Sequence, residues 1–153
     1  MPRSSEDPRA GTAFFDRPLW DAYAPFFDAE EGTVFPDDAR EEEFYRLVRS
    51  RFPGGRCLEL GAGTGRLAGP LSSAGPAVFL EPSPAMLGLW RNRREGRDML
   101  LRAVGQALPF PRDCFDLVVF ACNGLHCLLG RGSRVALLRE TARVLTPGGW
   151  LVL

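Results

Sequence analysis

The stretch best suited to chemistry is CLELGAGTGRL at Cys57 to Leu67, an apolar run passing directly into Gly61, Gly63 and Gly65, with Ala62 between. Glycines at such positions allow a tight turn, close approach of a ligand to the backbone and an immediate helix start. The spacing is GxGxG followed by Arg66, which departs from the GxGxxG of nicotinamide and flavin folds. Taken alone, this loop fits a purely structural turn equally well. Glu81 ends the next apolar run, about twenty residues further on. An acidic side chain there can accept hydrogen bonds from both hydroxyls of an adenosine ribose. The alternative is a surface acid at a strand end, but Pro82 and Ser83, opening a helix directly afterwards, favour ribose binding. His126, the single histidine, lies with Asn123 in ACNGLHCL and has the chemistry of a proton acceptor. A lone histidine beside Leu125 and Leu128 is more often packed or exposed than catalytic.

These residues need a scaffold, and the chain has the length and composition for one. It has 153 residues, 45% hydrophobic and 25% charged, which is ordinary globular composition with a single core. Nineteen basic residues, all Arg, balance nineteen acidic ones. The summed field therefore offers no long-range attraction for nucleic acid or an anionic membrane surface. Cys57, Cys114, Cys122 and Cys127 form no CxxC pair and no framework, so buried reduced thiols are expected, with neither a metal site nor disulfides. The charged, Pro-rich start has no apolar core of a signal peptide, and no segment is apolar enough to cross a bilayer. A cytoplasmic protein is expected.

Along the chain, residues 1–13 lack periodicity and read as a disordered tail. Residues 14–52 read as a helical cap. Its aromatic part, Phe14 to Phe35, is broken by Pro18 and Pro25 and predicts short helical pieces covering the core, with a substrate lid as the other reading; Trp20 and Tyr23 are suited either to close over a cofactor or, equally well, to core packing. Asp37 is suited to cap a helix to about Arg51 with Phe44, Leu47, Val48 and Phe52 on its apolar stripe. From Arg56 the periods alternate: a strand to Leu60, a helix from about Thr64, and a strand at Ala77 to Leu80. A helix opened by Ser83 and Pro84 follows, then strands at Met99 to Val104 and Phe115 to Ala121. A helix at Ser133 to Leu145, with Val135, Leu138, Ala142 and Leu145 on its stripe, precedes a fifth strand from Trp150. Alternating strands and helices imply a parallel sheet with right-handed crossovers. The loops after Leu60, Leu80, Val104 and Phe120 are then expected to share one rim, at the carboxyl ends of the strands.

In order, CLELGAGTGRL, LEPSPAML, ALPFPRDCFDLVV and RVLTPGGWLVL resemble the successive motifs of class I S-adenosylmethionine-dependent methyltransferases, of the type 11-like small-molecule kind. The resemblance covers residues 56–153. It implies a three-layer Rossmann-like α/β fold, mostly parallel with helices on both faces, and S-adenosyl-L-methionine as cofactor. By the same resemblance Gly61, Ala62, Gly63 and Gly65 face the methionine and ribose portions, and Glu59 lies near the amino group. Glu81 binds the ribose, while Pro82 and Met86 line one side of the adenine. Val104, Gly105 and Gln106 hold the adenine edge, and Ala121 lies beneath the sulfonium. Many relatives carry an acid where Val104 stands, so adenine recognition here rests on backbone groups or Gln106. The resemblance puts the His126 loop beside the transferred methyl. It implies methyl transfer by in-line displacement, and the balanced charge, with no basic or aromatic-basic stripe, makes a small-molecule acceptor the expectation, with no nucleic-acid or membrane partner.

Relatives usually continue past the fifth strand with a helix and an antiparallel pair of strands, whereas this sequence stops at Leu153. An open sheet edge is expected to leave the isolated chain marginally stable or self-associating. Two other functions remain open from sequence: a non-catalytic cofactor-binding protein or inactive fragment, and a nicotinamide-dependent oxidoreductase, against which GxGxG and RVLTPGG speak.

Overall fold

The computed structural model describes residues 17–34, 38–93 and 99–153. The expected tail at 1–13 and the Asp37 cap lie outside them. In chain order the elements are α1 (Arg17–Val34), α2 (Asp38–Ser50), β1 (Cys57–Leu60), α3 (Ala68–Ser72), β2 (Ala77–Leu80), α4 (Pro84–Arg93), β3 (Met99–Leu101), β4 (Phe115–Val119), α5 (Gly130–Val144) and β5 (Leu145–Val152). A short 3-10 helix, Gly124–Cys127, precedes α5. The five strands form one sheet in the order β3-β2-β1-β4-β5. Every pairing is parallel. The winding reverses between β1 and β4, where such sheets bind ligands.

Both faces of the sheet are covered, so the central strands are apolar in continuous runs. On one face Cys57, Phe79, Leu117 and Val119 pack with Tyr45 and Val48 of α2, Leu71 of α3 and Trp90 of α4. On the other, Leu58, Leu60, Leu80 and Val118 pack with Leu137 and Val144 of α5. Trp90 meets Phe79 edge to face at 5.0 Å. Burying each such side chain contributes roughly 1.5–3 kcal/mol. Arg49 of α2 is fully buried and donates to the carbonyls of Leu71 (2.8 Å), Phe52 (2.7 Å) and Gly55 (2.6 Å), tying α2 to α3 and to the turn before β1.

The structure corrects several local expectations. Residues 17–34 form one helix that runs through Pro25, not short pieces. Pro18 lies in the first turn, where no backbone donor is needed, and the one bond lost at Pro25 is offset by packing of α1 on α4, with Ala24 buried. The helix expected from Thr64 begins only at Ala68, because Gly65 has φ +93° and cannot be helical. On α2 the inward face is Tyr45, Val48 and Arg49, while Phe44 and Leu47 are exposed. On α5 it is Ser133, Leu137, Thr141 and Val144, while Leu138 is exposed. Here small polar residues take inward positions, and Ser133 Oγ satisfies itself on the Leu129 carbonyl (2.6 Å). The third strand is only Met99–Leu101, and β4 ends at Val119. β5 begins at Leu145, which pairs with Phe115, and resumes pairing at Trp150 after an irregularity that holds Pro147, Gly148 and Gly149.

Candidate functional site

The loops leaving the carboxyl ends of the strands meet as expected and enclose a cavity. Gly61 and Gly63 come from the β1 loop, Glu81, Pro82 and Met86 from the β2 end and α4, and Val104, Gly105 and Gln106 from beyond β3. Ala121 and Cys122 come from the loop after β4. Gly61 (φ +65°) and Gly63 (φ +57°) turn the chain away from β1 in a conformation that only glycine adopts freely. Ala62 is set behind them by its N–H bond to the Leu80 carbonyl (3.1 Å). At Gly105 a Cβ would come within 2.7 Å of the Leu137 side-chain end, so any larger residue there would push Leu137 aside.

Glu81 is the best-defined polar group of the cavity. One carboxylate oxygen accepts the Gly63 N–H (2.9 Å) and the other the Ser83 N–H (2.7 Å). Each oxygen keeps lone-pair capacity for a further donor. Burial pushes its pKa up to about 7, against the pull of the two N–H groups, and the charge of Asp21 adds to the rise. Ser83 Oγ accepts from the Met86 N–H (3.1 Å), which is the N-cap bond of α4 read from the sequence.

Glu59, two residues before Gly61, is buried but does not line the cavity. Its Oε2 has no hydrogen-bond partner. Burial pushes its pKa up to about 8; Arg66 opposes this, while Glu81 and Glu41 reinforce it. Arg66 offers little direct relief because it is engaged by α2, donating to Glu41 Oε2 at 2.6 Å and Oε1 at 3.1 Å. It also reaches Cys122 Sγ at 2.7 Å. Gln106 Nε2 is likewise buried without a partner, and its side chain belongs to the cavity wall.

Three further expected site residues, besides Glu59, stand off the cavity wall. Gly65 is absent from the wall, and a Cβ on it would enter the Trp90 indole, so its glycine serves packing and the turn. Ala62 lies behind the wall, and His126, exposed on the 3-10 helix, does not line the cavity, although its neighbour Cys127 does. The cysteines are not uniformly buried as expected: only Cys57 is, whereas Cys122 is exposed and both Cys122 and Cys127 reach the wall. Trp20 of α1 also lines it, with Tyr23 packed edge-on at 6.1 Å. Sequence reasoning missed Phe120, Leu128 and Leu137, which read as ordinary core. It also missed the Glu41–Arg66 pair, since nothing local connects residues so far apart.

Residues 58–153 match the family model described as a methyltransferase domain. The chain belongs to that family. As a member of the class I S-adenosylmethionine-dependent methyltransferases, it is 36% identical over 101 residues to a demethylmenaquinone methyltransferase of Tropheryma whipplei, covering 65% of this chain and 41% of that protein. It is 37% identical over 117 residues to a ubiquinone/menaquinone biosynthesis C-methyltransferase of Stenotrophomonas maltophilia, covering 71% and 45%. Among solved structures, it resembles the S-adenosylmethionine-bound amino pentose methyltransferase of Micromonospora echinaspora at 25% identity and TM-score 0.66, covering 82% of this chain and 53% of that one. The chain thus spans less than half the length of these two sequence relatives.

The residues present fit the family's cofactor, S-adenosylmethionine. The partnerless Gln106 amide supplies a donor in the cavity wall, and Glu81 retains acceptor capacity. Gly61 and Gly63 present bare backbone beside both. When bound, the cofactor supplies an activated methyl group on a sulfonium centre. Among the described residues no helix is long and apolar enough to cross a membrane, and no cluster of His, Cys, Asp or Glu is arranged to hold a metal.

Proposed function

We propose that this chain carries out methyl transfer from S-adenosylmethionine to a small, largely apolar acceptor by in-line displacement. The observation that carries this reading is the composition of the cavity. Its polar side chains concentrate at Glu81 and Gln106, while Trp20, Phe120, Cys127 and Leu128 supply an apolar remainder. In this reading Glu81 receives the ribose hydroxyls, and Pro82 and Met86 flank the adenine. Val104, Gly105 and Gln106 take the adenine edge, and Gly61 and Gly63 pass beneath the ribose and methionine. Glu59 sits toward the amino group, with Ala62 and Gly65 shaping the loop, and Ala121 lies below the sulfonium. A positively charged cofactor beside the two buried carboxyl groups favours their ionised form and is in turn favoured by it. The protein's contribution to rate is alignment of the acceptor and exclusion of water, with no dedicated base required. The apolar wall and balanced net charge support a small molecule over a nucleic acid.

The relatives' names put quinone-type rings and amino sugars at the head of an acceptor panel. The expected result is cofactor-dependent methylation of an apolar ring acceptor, unchanged in His126→Ala, whose side chain lies off the cavity. Cofactor binding with no turnover across the panel would contradict the catalytic reading and favour a binding protein.

A further inference from the structure

The ribose-facing carboxylate does not stand alone: it belongs to a hydrogen-bonded chain that begins on the N-terminal helix. Ser83 Oγ donates to Asp21 Oδ1 of α1 at 2.5 Å. That fixes the hydroxyl proton on Asp21 and leaves the oxygen lone pairs free to accept the Met86 N–H at 3.1 Å. With its hydroxyl so held, the buried Ser83 turns its own N–H onto Glu81 Oε1 at 2.7 Å. The Gly63 N–H holds the other oxygen at 2.9 Å. Asp21 is separated from Ser83 by 62 residues of sequence, and its neighbour Trp20 lines the cavity. α1 therefore touches the site twice in succession, once through an aromatic wall and once through this relay.

We propose that Asp21 is a positioning residue for the cofactor's ribose, acting through Ser83 to aim the Glu81 carboxylate at the two ribose hydroxyls. The inference rests on the reading of Glu81 as the ribose acceptor. The groups facing Glu81 are Asp21 from α1, Glu59 from β1 and the N–H groups of Gly63 and Ser83. Asp21 thus contributes in two separable ways. Its oxygen accepts the Ser83 proton, and its charge opposes ionisation of Glu81.

The test is titration calorimetry of the purified chain with S-adenosylhomocysteine and with its 2′-deoxyribose analogue, across pH 5.5 to 8.5. Wild type is expected to prefer the full ribose by roughly tenfold. Asp21→Ala is expected to reduce that preference to about threefold or less. Asp21→Asn keeps an acceptor oxygen but no charge, so it should retain the preference while the rise of affinity with pH moves to lower pH. That shift is one that mere helix docking would not produce, and it is available even where Asp21→Ala fails to fold. A wild type indifferent to the 2′-hydroxyl would overturn the Glu81 reading, and this inference with it. A discriminating wild type whose preference survives intact in Asp21→Ala, or whose pH dependence is unmoved in Asp21→Asn, would overturn the role of Asp21 alone.

Discussion

The two ends of the sheet treat their polar groups differently. At the amino end, Asp116 accepts from the Arg56 N–H (2.8 Å) and from Thr146 Oγ1 (3.2 Å), and Arg49 spends its guanidinium on backbone carbonyls. At the carboxyl end, Glu59 Oε2 and Gln106 Nε2 are buried with no partner, and Glu59 and Glu81 are both pushed toward the protonated form. Buried polar groups are ordinarily paired, and each exception asks for a reason. Thr141 Oγ1, in the last turn of α5, is also buried without a partner, but the groups left so beside the cavity are a carboxyl and an amide, and the difference teaches that the carboxyl end holds the polar capacity a ligand would use.

The contrast can be broken most forcibly at Arg49. Arg49→Met should cost about 4 kcal/mol of stability by stranding several buried carbonyls, read as a fall in the urea midpoint. Folded protein that remains should still bind cofactor. Loss of cofactor affinity without loss of stability would erase the distinction between the two ends. Glu81→Ala should weaken S-adenosylhomocysteine roughly 100-fold, and because it strands only the Gly63 and Ser83 N–H groups its midpoint should fall less than that of Arg49→Met.

A third measurement sharpens the contrast through pH. Glu59 has a folded pKa of about 8 against an ordinary 4.5, and Glu81 about 7 against 4.5. Between those values the folded chain holds protons that the unfolded chain releases. The stability they confer is present below about pH 4.5 and lost as pH rises through 7 and 8. The melting temperature of the cofactor-free chain should therefore fall across that window. Glu59→Gln, which cannot ionise, should flatten the slope, and an unchanged slope would place the titration elsewhere. The smallest expected effect is at Gln106. Gln106→Leu should leave stability equal or raise it by up to about 1 kcal/mol, while weakening cofactor about fivefold.

Much of this end of the molecule was legible in the sequence, because its signals are local. CLELGAGTGRL, Glu81 and the Ser83 cap each declare themselves within a few residues, and a parallel sheet then brings their loops to one rim. Helix faces were less legible. On α2 and α5 apolar residues satisfy more than one stripe, and the choice was made by Arg49 capping carbonyls and by Ser133 and Thr141 turning inward, which only tertiary packing decides. Pro25 misled for the same reason, since docking of α1 on α4 outweighs one lost hydrogen bond. The contacts of Asp21 with Ser83 and of Glu41 with Arg66 join distant residues and left no pattern to read. His126 was singled out for its chemistry, but the turn that follows β4 brings Cys127 to the wall and leaves His126 outside.

The most direct test is calorimetric titration of S-adenosylmethionine into the folded chain, wild type beside Glu81→Ala. Saturable binding by wild type, weakened roughly 100-fold by the substitution, is the expected result. Binding that ignores Glu81, or no binding by a sample shown to be folded, would contradict the assignment of the carboxyl-end cavity as the cofactor site.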